Sequence, residues 1–102
     1  MTRDAIIVFA SFHGLPGQGA ELRELLSWMV ENTRTEPGCE RYDLYQQPGS
    51  SETLHLFERY RDQEALDAHR AASYYVEYRH RVAGLIEGSV DVVVLDPIDV
   101  AG

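Results

Sequence analysis

Two side chains in this sequence have the type and setting for proton chemistry. Glu58 lies in Thr53-Leu54-His55-Leu56-Phe57-Glu58-Arg59-Tyr60, in phase with Leu54 and Leu56. A carboxyl on the apolar side of a strand loses hydration and its pKa rises, which suits a base or an anchor for a ligand hydroxyl. The alternative is a Glu paired with a nearby Arg or solvated at a strand end. His69 follows Leu66 by three positions in a segment of helical propensity, so the two share neighbouring surface. Its ordinary pKa of about 6.5 suits either a proton acceptor in a pocket or a helix-face histidine bonded to a backbone carbonyl. Tyr75 and Tyr78 stand at helical spacing, as a slot for a planar ring or as a core stripe, and Trp28 falls off the apolar stripe of its own helix.

Other chemistries have less support. His13 and His55 share no spacing that reads as a metal site. Cys39, the single cysteine, allows no internal disulfide and reads as a small apolar strand residue. All nine basic residues are Arg, which excludes a Schiff-base lysine. A net charge of -8 with scattered arginines argues against nucleic-acid binding. No apolar run reaches the ~20 residues of a membrane span, and Met1-Thr2-Arg3-Asp4 is too short before the first strand for a signal peptide. A cytoplasmic protein with no membrane association is expected, its residues 1–102 forming one domain.

The elements that position these residues follow from pattern. Ile6–Phe12 is apolar on both faces and reads as a buried strand; Leu22, Leu25, Leu26, Met29 and Val30 then recur at helical spacing up to a stop at Pro37. In Glu36-Pro37-Gly38-Cys39, Pro37 ends the helix and Gly38 is read as permitting a turn that other residues resist. In the strand that follows, Tyr42 and Leu44 face one way while Arg41, Asp43 and Tyr45 face the other, and chemistry is expected on that second, polar side. Gln47–Ser51 turns the chain into the strand carrying Glu58, Asp62 caps a second helix through Arg70, and Ser73 is read as the cap of a third ending at Gly88. Val90–Leu95 is the last strand. The order βαββαβ implies a ferredoxin-like α+β fold with a four-stranded antiparallel sheet and helices on one face. Ile7, Phe9, Phe57, Val93 and Leu95 are opposite in phase to Ile6, Val8, Leu56, Val92 and Val94, so both sheet faces are apolar. Helices cover one face only, and a homodimer joined through the sheets, burying ~1,500 Å² or more, is expected to cover the other.

Glu36-Pro37-Gly38-Cys39 leading to Tyr42-Asp43-Leu44-Tyr45, then Phe57-Glu58-Arg59-Tyr60, then Ala65-Leu66-Asp67-Ala68-His69 and Ser73, resemble the antibiotic biosynthesis monooxygenase superfamily of dimeric α+β barrel proteins. The resemblance spans nearly the whole chain. It implies a ligand pocket between the helices and the sheet of each subunit, with Glu58 and His69 at it, and a relation to quinol monooxygenases that act without metal or flavin. Two departures stand out: Tyr60 replaces the usual Trp after the Glu-Arg pair, and Tyr75-Val76 replaces a His-Phe found in many members. A phenol at Tyr75 donates hydrogen bonds but, with an ordinary pKa near 10, is a poor base at neutral pH. In the heme-degrading branch a histidine seven residues after the serine ligates iron, a spacing that His80 shares with Ser73. That branch also uses an Asn and a Trp where this chain has Ala10 and Tyr60, so His80 is read as an exposed histidine between Arg79 and Arg81.

The resulting expectation is a monooxygenase, without cofactor or metal, that oxidises a quinol, phenol or anthrone-like aromatic with O2. Glu58 or His69 would remove the proton, and Tyr60, Tyr75, Tyr78 and Trp28 would hold the ring. The alternatives are a non-catalytic small-molecule-binding or stress-response dimer, an isomerase or cyclase whose product forms without oxygen, and, with less support, a heme-degrading monooxygenase.

Overall fold

The computed structural model describes residues 4–101; Met1–Arg3, on which the signal-peptide reading partly rests, and Gly102 lie outside it. The elements run β1 (Ile6–His13), α1 (Gly19–Thr33), β2 (Cys39–Gln46), β3 (Thr53–Tyr60), α2 (Gln63–Ala71), α3 (Ser73–Val82) and β4 (Asp91–Leu95). The strands form one antiparallel sheet in the order β2-β3-β1-β4, the ferredoxin-like arrangement. α1 is fixed to it by Leu22, Leu25, Leu26 and Met29, all fully buried with Phe12, Leu54 and Leu56. Each such side chain contributes roughly 2 kcal/mol relative to exposure.

Three local readings change. Gly38 does not have a positive φ, unlike Gly17, Gly49 and Gly88. Its role is close approach: a Cβ there would lie 2.4 Å from the Cβ of Ala65 on α2. Ser73 is the first residue of α3 and Ala72 holds the cap position, with no side chain capping the helix. α3 stops at Val82, short of Gly88, because the chain beyond it is tied to the end of β1: Ile86 bridges Gly14, and the Glu87 N–H donates to the His13 carbonyl at 2.8 Å.

The helix-covered face carries Val8, Ala10 and Phe12 of β1 with Leu54, Leu56, Glu58 and Tyr60 of β3, all buried. The opposite face carries Phe9, Ser11, His55 and Phe57, half-buried, with Tyr45, Val93 and Leu95 about half exposed. There Phe9 stacks on His55 at 5.5 Å, and His55 is bonded to Ser11 and Gln47. No helix in the described residues is long and apolar enough to cross a membrane.

Candidate functional site

The strand register builds the floor of the site. Tyr42 pairs with Glu58, and Glu58 with Val8, so the three stand in one row across the helix-covered face. This is the side of β2 that looked purely apolar. Arg41, Asp43 and Tyr45 lie on the opposite face, where Arg41 and Arg34 are spent on ion pairs with Asp43 at 2.7 and 3.2 Å. Glu58 is only 6% exposed, and the Tyr60 hydroxyl donates to its Oε1 at 2.6 Å. Burial pushes the Glu58 carboxyl up to about 7, against the opposing pull of the Tyr60 hydrogen bond and the Arg70 charge.

The roof comes from α2. Asp62 caps it, its carboxylate accepting from the Ala65 N–H at 2.9 Å, and the helix then presents Leu66 and His69 to the sheet, both buried. Glu36 stands in the turn between α1 and β2, where the Cys39 N–H donates to its carbonyl at 3.2 Å. Its carboxylate Oε2 lies 2.9 Å from His69 Nδ1 and also accepts from the Tyr74 hydroxyl. A carboxylate only accepts, so Nδ1 carries the proton and Nε2 keeps its lone pair. Burial holds the His69 imidazolium pKa below the usual histidine value, outweighing the stabilising Glu36 carboxylate. His69 is therefore a neutral imidazole near pH 7, oriented by Glu36 and packed among the rings of Tyr75, Tyr60 and Tyr42 at 5.1, 5.2 and 5.7 Å.

Glu58 and His69 line one cleft, together with Tyr42, Tyr75, Tyr78 and Arg70. Burial raises the Tyr42 and Tyr78 hydroxyls well above the ordinary phenol value, so both remain hydrogen-bond donors at neutral pH. The cleft holds about 40 Å³, whereas small-molecule pockets run from roughly 300 Å³. Admitting an aromatic ring requires the half-buried Tyr75 or the β4 edge at Val92 to move.

Not every expected residue joins this cleft. Tyr60 is fully buried and sits behind Glu58 as its hydrogen-bond donor. Trp28 is half-buried on α1, outside the cleft lining, with the Arg81 guanidinium 5.4 Å from its ring centroid. His80 is exposed on α3. Cys39 faces the core because a bulge between it and Arg41 reverses the alternation, and burial pushes its thiol up to about 11. A larger hollow of about 400 Å³ is lined by Glu21, Glu24, Arg81 and Leu85. Both of its acids are exposed, and it lacks the buried proton-transfer groups of the cleft. Among the described residues no three His, Cys, Asp or Glu side chains cluster to hold a metal ion.

The sequence reading missed Glu36, Tyr42 and Arg70. The tight turn at Gln47–Ser51 was a usable signal for Tyr42, since it centres the hairpin where residue 42 meets residue 58. No local pattern points to Glu36, which is 33 positions from its partner.

The model of a family described as antibiotic biosynthesis monooxygenase matches residues 5–81. Rv0793 of Mycobacterium tuberculosis, a candidate monooxygenase by name, is 45% identical over 96 residues, which is 94% of each chain. Its solved structure superposes with a TM-score of 0.91 at 43% identity, covering 96% of this chain and 99% of that one. PA3566 from Pseudomonas aeruginosa superposes with a TM-score of 0.87 at 25% identity, over 94% of this chain and 96% of its own. YcnE of Bacillus subtilis, also a candidate monooxygenase by name, is 26% identical over 65 residues, 64% of this chain and 68% of its own.

Proposed function

The chain belongs to the antibiotic biosynthesis monooxygenase family, and from that premise we propose that it oxidises a quinol, phenol or anthrone-like aromatic with O2, using no cofactor. The observation that supports this most is the placing of a buried carboxyl and a buried, Glu36-oriented imidazole in one tyrosine-lined cleft. Such a substrate carries its own reducing power. The protein needs to remove a proton, exclude water and hold the ring.

His69 Nε2 or the ionised Glu58 takes the hydroxyl proton, leaving a phenolate. The phenolate gives one electron to O2, the resulting radical and superoxide combine at a ring carbon bearing hydrogen, and the protonated His69 or Glu58 returns its proton to the peroxide anion to give a hydroperoxide. Loss of water from that hydroperoxide leaves one oxygen atom in the product as a carbonyl and puts the other in water. Tyr42, Tyr75 and Tyr78 bracket the ring, and Tyr60 acts behind Glu58 by stabilising its charge. The exposed Val93, Leu95 and Tyr45, with Phe9 and Phe57 beside them, support a homodimer joined through this sheet face.

The test is oxygen consumption with mass analysis of products on naphthoquinols, anthrones and catechols, against autoxidation without protein. Catalysed uptake with one oxygen atom in the product is expected. Uptake no faster than autoxidation overturns the reading, and conversion that persists without O2 would select an isomerase or cyclase.

A further inference from the structure

With 17 acidic and nine basic residues, this chain has more than enough carboxylates to pair every arginine. Arg34, Arg41, Arg61 and Arg81 are paired in this way, as is Arg59 with Glu40. Arg70 and Arg79 make no hydrogen bond or ion pair among the described residues, and they line two neighbouring hollows. Arg70 lines the cleft of Glu58 and His69, while Arg79 lines the adjoining groove with Val82, Ile86 and Val90. Val92 of β4 borders both hollows, so the two are neighbours along β4.

The α2 dipole accounts for a cation in the last turn of that helix. It does not account for a guanidinium at the edge of the cleft that feels the charge of Glu58 yet makes no ion pair, in a chain of net charge -8. An arginine here matches a planar anion that arrives with the ligand, because its fork of N–H donors fits a carboxylate with two parallel hydrogen bonds. We infer that the ligand of this cleft is an aromatic acid whose carboxylate is held by Arg70, the ring lying inward toward His69. This rests on the reading of the cleft as an aromatic-binding site, and it narrows the substrate class to carboxylated aromatics.

Equilibrium binding of non-oxidisable probes tests it apart from any turnover. 2-Naphthoate and its neutral isostere 2-naphthamide are titrated against wild-type protein, Arg70→Gln, Arg70→Lys and Arg23→Gln, the last altering an exposed and equally unpaired arginine on α1. The acid is expected to bind wild type about tenfold or more tightly than the amide. Arg70→Gln should abolish that preference with amide binding unchanged, Arg70→Lys should retain part of it, and Arg23→Gln all of it. Unchanged amide binding shows that Arg70→Gln is folded. Equal binding of acid and amide to wild type, equal losses in Arg70→Gln and Arg23→Gln, or no binding of the acid at millimolar concentration would overturn the inference. Because no oxygen is consumed, these outcomes are independent of whether the protein proves to be a monooxygenase.

Discussion

Replacing Glu58 with Gln should make the protein's stability less sensitive to pH, in a direction set by burial. The carboxyl titrates near 4.5 when unfolded and at about 7 in the folded chain. Below about pH 4.5 it is protonated in both states. As pH rises from there, the unfolded chain ionises while the folded chain holds its proton, so wild-type stability falls until the folded carboxyl also ionises. The loss is complete above the folded value. A shift of this size, at 1.36 kcal/mol per pH unit, corresponds to about 3 kcal/mol. Gln at 58 keeps an oxygen to accept from Tyr60 and does not titrate. The advantage of Glu58→Gln over wild type should therefore grow by about 3 kcal/mol between pH 4.5 and pH 8. His69 acts in the opposite sense, its depressed value costing stability as pH falls, but it does so in both proteins and cancels in the difference. Urea unfolding at fixed protein concentration and ionic strength across this range measures it. A difference that stays level within about 0.5 kcal/mol would refute the argument that desolvation governs Glu58.

Four further outcomes follow. Gly38→Ala should destabilise the fold by about 1–3 kcal/mol in urea, since the new methyl meets Ala65, and adding Ala65→Gly should restore part of the loss. His69→Gln should lower turnover about tenfold or more. Glu36→Gln removes a carboxylate that raises the His69 pKa, so the acid limb of kcat/KM and the His69 NMR titration should both move to lower pH. Light scattering should give the mass of two chains at micromolar concentration, and Val93→Asp on the open sheet face should lower it to one.

Much of this architecture was legible because it depends on local period. The alternation of Leu54, Leu56 and Glu58 placed the carboxyl on the apolar face, and helical spacing placed Leu66 and His69 together. What the sequence did not reveal depends on contacts between distant segments. Glu36 looked like part of a helix stop, yet it orients an imidazole on another helix. The alternation of β2 correctly separated Tyr42 from Arg41 and Asp43, but the chemistry gathered on the Tyr42 side because Glu58 and the covering helices are there. Gly38 was read for backbone freedom, whereas the neighbouring helix is what excludes a side chain. Trp28 was read as off the apolar stripe of α1, yet it packs half-buried against the edge of the core, and nothing local indicated that it would meet Arg81 and not the cleft.

The central claim is that Glu58 and His69 drive reaction of an aromatic hydroxyl compound with O2. Its most direct test is the rate of 18O incorporation from 18O2 into a naphthoquinol or anthrone product, for wild type and for the Glu58→Gln/His69→Gln double variant. The prediction is one labelled oxygen per product, formed by wild type well above the autoxidation rate and by the folded double variant at that rate. Equal incorporation by the two proteins, or product formed without label, would contradict it.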